Sequence, residues 1–427
     1  MDAADNSEGV KGLFKDSFTV LIGTTGSMVA LFGAQILVGR FMTYTDFAIL
    51  SLSISVAMIV ADLIDFGLKT TIVRDLADIT KNNPEKAADY AATIFSLKLR
   101  ISLISVLFFP ILAYILSITV FGEVLFLYAL IISSAAITAG LFLSFSWFIR
   151  SYFQAVKKFT LYASYSLVGN SIFLIFAFLF ILFAFGAFTL PILLAISYLI
   201  WTLIGTLFYL RIRVKGKQER EFHRPIFSFS KWIMISTVLV TVYNRVDQLI
   251  VASLLPYNFV AIYGAVILIA SLIPVVTTSF STVLYPRISE IKEESEMKRF
   301  IKRNIALTTG IALLLLIPVL LFPNPVSLFF GAAYVESDYL FPFVGAVYLI
   351  GLALVPLSLL PLSIGRPDLL TLLNFLQFAI TIVALPLLVI NFGIVGAVYN
   401  IILVRIITPF YLVFVLLLYV KGRLKRN

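Results

Sequence analysis

Four polar residues stand together in an otherwise apolar stretch, KWIMISTVLVTVYNRVDQLIVASLL (Lys231–Leu255): Asn244, Arg245, Asp247 and Gln248. On a helix, Asn244 and Gln248 fall one turn apart on a shared face, with Asp247 beside Asn244. Arg245 and Asp247 diverge by about 200°, so they cannot simply neutralise each other. At least one of them is therefore expected to face a polar cavity, the alternative being pairing with neighbouring helices. A second cation, Arg405, lies near the middle of IVGAVYNIILVRIITPFYLVFVLLLYV (Ile394–Val420), too deep to snorkel, with Pro409 one turn on and expected to kink the helix. These two are read as the deepest charges of the chain. A guanidinium forks onto two phosphate oxygens, so Arg245 and Arg405 suit a phosphate; a buried carboxylate is the competing partner for Arg405.

The acidic candidates lie in ADLIDFGLKTTIVRDLAD (Ala61–Asp78). Asp62 and Asp65 share one helical face, and Lys69 is a turn beyond Asp65. Asp65 is expected to form an interfacial ion pair with Lys69 or Arg74. Asp62 is deeper and without a local partner, which makes it, with Asp247, the candidate for coupling to H+ or Na+. Gln35 and Gln248 supply amides that could bind sugar hydroxyls or join helices. Asn170, Asn374, Gln377 and Asn400 are weaker signals and read mostly as packing.

Several chemistries are excluded. The chain has no Cys and a single His, His223, expected on exposed surface, so disulfide, thiolate and nearly all metal chemistry is absent. No phosphate-binding G-x-x-x-x-G-K-[ST] run occurs, so the chain does not itself hydrolyse ATP. No cofactor or metal is expected. The loops expected outside are too short to house a catalytic centre, which argues against an enzyme.

The elements that position these residues are membrane spans. Hydrophobic residues make up 61% of the chain, charged residues 13%, and mean hydropathy is +1.06. Twelve apolar runs are each long enough to cross a bilayer as a helix: 17–39, 45–66, 93–119, 124–146, 161–185, 189–210, 232–254, 259–284, 304–323, 339–362, 369–390 and 394–419. Of 32 Lys and Arg, all but Arg40, Arg245 and Arg405 fall on segments and helix ends of one side, which predicts N-in, C-in topology. The net charge of +10 is thus expected to face anionic lipid headgroups, not nucleic acid. The N-terminal tail, 1–16, is too polar and mixed in sign for a signal peptide, so the first span is expected to act as an uncleaved anchor.

The chain also repeats itself. Ser17–Arg74 aligns without a gap on Ser230–Arg287, 213 positions later, with twelve identities in 58 that include Gln35/Gln248, Tyr44/Tyr257 and Arg74/Arg287. Six spans per half predict two all-α bundles, 17–210 and 232–420, related by a pseudo-twofold axis along the membrane normal. A polar, solvated cytoplasmic linker, 211–231, would join them, and a basic cytoplasmic tail, 421–427, would follow. Two similar halves around a central site is a transporter's build.

Particular stretches carry a resemblance. GRFMTYTDFAILSLSISVAMIVADLIDFGLKTTIVRDLA (Gly39–Ala77) resembles the opening of polysaccharide flippases of the multidrug/oligosaccharidyl-lipid/polysaccharide exporter superfamily. YNRVDQLIVASLLPYNFVAIYGAV (Tyr243–Val266), LYPRISE (Leu284–Glu290), LFFGAAYVESDYLF (Leu328–Phe341) and NFGIVGAVYN (Asn391–Asn400) resemble later parts of the same family. Span 1 has no Arg of the kind flippases for peptidoglycan precursors carry, which directs the resemblance to the Wzx-type branch. It implies a V-shaped, MATE-like pair of six-helix bundles in the cell membrane. It further implies a functional monomer that flips a polyprenyl-(pyro)phosphate-linked oligosaccharide from the cytoplasmic to the outer leaflet. The alternative is a cation-coupled multidrug or small-solute exporter of the same fold.

Overall fold

Long apolar runs in hydrocarbon can satisfy their backbone polar groups internally only as helices. The computed structural model describes residues 2–183, 185–213, 216–291, 293–322, 324–366 and 368–420, and among them there is no β-strand. The expected basic tail, 421–427, lies outside the described residues. The chain divides into two compact units, Met1–Arg245 and Val246–Asn427.

The first unit holds α1 (Asp2–Phe41), α2 (Tyr44–Asp65), α3 (Leu68–Asn82), α4 (Pro84–Val106), α5 (Phe109–Thr119), α6 (Phe126–Ala155), α7 (Phe159–Phe183) and α8 (Thr189–Ile212). It ends within α9 (His223–Leu254). Here α1 packs along α7, α6 along α8, and α2 against α6. Helix α2 is the enclosed one, with 83% of its most apolar stretch buried, and this is why its polar residues need partners. A capping box opens it: Thr43 accepts from the Asp46 N–H, and the Asp46 carboxylate accepts from the Thr43 N–H.

The second unit holds α10 (Tyr257–Ala270), α11 (Leu272–Glu290), α12 (Glu294–Leu321), α13 (Pro325–Phe330), α14 (Val335–Asp338), α15 (Phe341–Ala353), α16 (Val355–Ser358), α17 (Leu360–Ser363) and α18 (Asp368–Val420). Its core is α15, packed against α10, α11, α12 and α18. The helix ends respect the internal repeat. Helix α1 stops at Phe41 and α2 starts at Tyr44, while α9 stops at Leu254 and α10 starts at Tyr257, each 213 positions on.

Among the described residues nine helices are long and apolar enough to cross a membrane, or up to eleven if two bent pairs each form one span. Some expected spans are broken where proline forbids continuity. The run 93–119 bends by 54° between α4 and α5, and Pro110 sits in the first turn of α5. The run 339–362 is not one helix but α15, α16 and α17, each opened by a proline: Pro342, Pro356 and Pro361. The runs 369–390 and 394–419 both lie in α18, which turns back on itself at Gly393 (φ 58°, ψ −138°). A Cβ on Gly396 would strike the Leu388 backbone, and Tyr411 donates to the Leu369 carbonyl at 2.7 Å, so the two arms run antiparallel. Pro409 lies inside α18 with helical dihedrals, and the residue of α18 with non-helical dihedrals is Gly393.

The expected linker keeps most of its described charged residues exposed, yet it is tied to the first unit. The Lys217 N–H donates to Asp89 at 2.6 Å, the Glu219 N–H to Thr93 at 2.9 Å, and Lys86 pairs with Glu221 at 2.7 Å. The segment is therefore strapped along the first turns of α4. His223, expected to be exposed, is half-buried in the first turn of α9.

One backbone feature shapes the site. Phe66 and Gly67 both take left-handed dihedrals (φ 53° and 74°), forming an elbow between α2 and α3. A Cβ on Gly67 would collide with the Ser230 carbonyl and approach Ile233 at 3.0 Å. Gly67→Ala adds the left-handed penalty of about 1–2 kcal/mol to that clash. It is expected to lower the melting temperature in detergent, whereas an unchanged melt would show that the elbow tolerates a side chain.

Candidate functional site

Inside the first unit the elbow gathers the charges. Residues seven apart on an unbroken helix are about 10 Å apart along its axis. The turn at Phe66–Gly67 instead brings the Lys69 ammonium onto Asp62 in a direct ion pair. The other Asp62 oxygen accepts from the Thr241 hydroxyl of α9 at 2.5 Å. Asp62 is 5% exposed, while the Lys69 side chain is 23% exposed and reaches it from the more open side. The expectation that Asp62 lacks a local partner is thus corrected, because Lys69 reaches it through the elbow.

Asp65 is corrected too. It pairs with neither Lys69 nor Arg74 through their side chains; it accepts the Lys69 backbone N–H at 3.2 Å and lies 3.6 Å from the ammonium of Lys98. Lys98, on α4, is fully buried and donates to Ser144 at 2.6 Å and to the Ile64 carbonyl at 3.3 Å. Ser144 in turn donates to the Ala61 carbonyl at 2.8 Å. Arg74 pairs with Asp75 and stacks on the Phe229 ring. Lys69 also stands 4.4 Å over the Trp147 ring. Two carboxylates and two ammonium groups therefore balance in one buried cluster drawn from α2, α3, α4, α6 and α9.

Lys98 is the most buried cation described, whereas Arg245 and Arg405 are half-buried. Its role is not legible in the sequence, because a lysine six residues into a span counts as an ordinary basic helix end. The only available signal is its place in the apolar window IFSLKLRISLI (Ile94–Ile104), with Arg100 two positions on.

The remaining site residues are dispersed. Arg245 closes the first unit, within electrostatic reach of Tyr198. Asn244 is exposed and donates to the Val240 carbonyl at 2.8 Å, whereas Gln248 is buried, so their shared face does not give them a shared environment. Gln35 is buried and donates to the Leu31 carbonyl of its own helix at 3.4 Å. In the second unit Asp247 accepts from the buried Tyr263 hydroxyl at 2.5 Å and from the Gln248 N–H at 2.8 Å. Arg405 lies 5.1 Å from the centre of the Tyr348 ring of α15. Asn170 and Gln377 join helices through Ser27 and Thr408, as packing residues do.

The described residues thus form apolar helices, nine to eleven of them candidate membrane spans, with ionisable groups held inside the first unit. A multidrug-resistance MATE family transporter of the MOP superfamily in an inward-facing conformation matches 89% of this chain and 92% of its own, with a TM-score of 0.75 at 14% identity. The lipid II flippase MurJ in an inward closed conformation matches 93% of this chain and 87% of its own, with a TM-score of 0.72 at 14% identity. At such identities the likeness is one of fold. The chain belongs to the polysaccharide biosynthesis protein family, whose model matches residues 13–292. A Shigella flexneri protein described as "Putative O-antigen transporter" is 24% identical over 205 residues, which is 46% of this chain and 48% of that relative. The match thus spans about half of the curated relative's length.

Proposed function

We propose that this protein moves a polyprenyl-(pyro)phosphate-linked oligosaccharide from the cytoplasmic to the outer leaflet by alternating access, for assembly of a surface polysaccharide or glycan. The observation that carries this reading is a polysaccharide biosynthesis match, over residues 13–292, in a chain with a transporter's fold. Twelve crossings are proposed: the two bent pairs as one span each, and α18 as two spans joined at Gly393. The two six-helix halves, 17–210 and 232–420, would act as a monomer, with both ends inside.

In this mechanism Arg245 and Arg405 hold the phosphate, and Gln35, Asn244 and Gln248 meet sugar hydroxyls. Asp62 and Asp247 are the coupling carboxylates. A proton or sodium ion taken up by Asp62 would weaken its hold on Lys69 and on Thr241, loosening the α2–α3 elbow from α9. Such a trigger needs no new contact, only the exchange of one partner for a cation.

The decisive experiment restores lipid-linked oligosaccharide export in cells lacking the protein. Re-expression is expected to return the oligosaccharide to the outer leaflet, and continued accumulation of it on the inner leaflet would remove the proposal. A multidrug exporter of the same fold is the second reading, motivated by the MATE neighbour. It predicts resistance to cationic drugs in place of restored oligosaccharide export.

Orientation is testable separately, because the chain has no native Cys. Lys217→Cys and Glu336→Cys place thiols at two exposed positions. An impermeant maleimide applied outside intact cells is expected to label the second and spare the first; the opposite pattern would invert the topology.

A further inference from the structure

A second basic site is built entirely from residues of the second unit, none of them in the buried cluster. A cavity of about 630 Å³ opens between the end of α11 and the first half of α12. It is lined by Arg287, Glu296, Arg299, Arg303, Asn304 and Leu307, among others. Arg299 and Arg303 are one turn apart on α12 and so share a face, and Arg287 reaches in from the last turn of α11. Asn304 is drawn toward its own helix by a 2.9 Å bond to the Phe300 carbonyl.

Among the described lining residues the charge count is uneven: three guanidinium groups meet one carboxylate, Glu296. Among the described residues none of the three arginines is in an ion pair with a carboxylate. Converging like charges repel, and an arrangement of this kind is stabilised when an anion enters. The forked donors of Arg match the paired oxygens of a phosphate ester. The volume exceeds what a lone phosphate needs and falls in the range of small-ligand pockets. One wall differs in kind: Leu307 is 54% exposed and begins the apolar run of α12, which continues to Leu321. A headgroup seated on the arginines would therefore have its hydrocarbon tail directed along an apolar helix.

We propose that the Arg287–Arg299–Arg303 cavity is a binding site for the phosphate-ester headgroup of a membrane lipid. The site is lined by neither Arg245 nor Arg405, and it does not depend on the transport reading. Its occupant is either the phosphate of a polyprenyl carrier or that of an ordinary anionic phospholipid, which share this chemistry.

The test uses the full-length protein in nanodiscs of phosphatidylcholine, labelled at Ser295→Cys, an exposed position beside the cavity, with an environment-sensitive fluorophore. Titration with inorganic pyrophosphate is expected to give a saturable signal. Arg299→Gln and Arg303→Gln should each weaken it about tenfold or more, as the loss of a charge-assisted contact does. Lys302→Gln removes the same charge from the same helix outside the cavity lining and is expected to change it less than about twofold. If Lys302→Gln weakens binding as much as Arg299→Gln, diffuse attraction accounts for the signal and the site is overturned. Polyprenyl phosphate and phosphatidylglycerol, doped into separate nanodiscs, are then compared as competitors. Displacement by polyprenyl phosphate alone marks a carrier-selective site, and equal displacement by both marks a general headgroup site. Displacement by neither overturns the proposal.

Discussion

Replacing Lys98 by Met is expected to destabilise the protein by about 3–5 kcal/mol, because it strands Asp65 as an unpaired buried charge. Asp65 is 1% exposed, and its Oδ1 already has no hydrogen-bond partner, so it relies on the ammonium 3.6 Å away for compensation. Thermal unfolding in detergent, followed by size exclusion, should show a melting temperature lower by at least about 5 °C. The double variant Asp65→Asn, Lys98→Met removes both charges and is expected to recover most of that loss. Lys69→Met should cost less, since the Lys69 side chain is 23% exposed and water can replace it. If Lys98→Met melts like the wild type, the buried pair contributes nothing and the cluster is not a structural keystone.

The largest functional effect is expected from the two arginines that the transport proposal assigns to phosphate. Each charge-assisted hydrogen bond lost is worth about 1.5–3 kcal/mol, so Arg245→Gln and Arg405→Gln should each reduce oligosaccharide export about tenfold or more. Lysine keeps the charge but loses the fork, so Arg405→Lys should fall between Gln and wild type. Arg366→Gln is the control: this arginine is on the surface, paired with Asp368 at 2.7 Å, and export should change less than about twofold. Asp62→Asn should slow export while leaving substrate binding intact, because it removes the coupling charge and not a phosphate ligand. Wild-type export by both arginine variants, expressed at equal levels, would show that neither holds phosphate and would favour the multidrug reading.

Span-forming residues were legible because a bilayer imposes a one-dimensional rule: about twenty apolar residues make a crossing. The runs 124–146, 161–185 and 189–210 appear as the helices Phe126–Ala155, Phe159–Phe183 and Thr189–Ile212, the first of them nine residues longer at its end than its run. The repeat was equally plain, since its period is kept in the helix ends at Phe41 and Leu254 and in the starts at Tyr44 and Tyr257. Proline positions foretold less. Pro110, Pro342, Pro356 and Pro361 open new helical pieces, whereas Pro386 and Pro409 lie inside α18, and composition alone does not distinguish the two outcomes.

Partner identity was decided only in three dimensions. Spacing along a helix relates Asp65 to Lys69, but two left-handed residues at Phe66 and Gly67 rotate the next helix and deliver Lys69 to Asp62. That rotation leaves Asp65 to Lys98, which arrives from another helix 33 positions along the chain. Likewise Arg287, Arg299 and Arg303 are three among many basic residues in sequence and line one cavity only because α11 and α12 are each held against α15. The physical reason is the same in each case. Hydropathy and charge act on every residue where it stands, so the sequence by itself determines which segments enter the membrane. An ion pair or a pocket depends on the rotation and crossing of helices that are distant in the chain, and tertiary packing alone sets those.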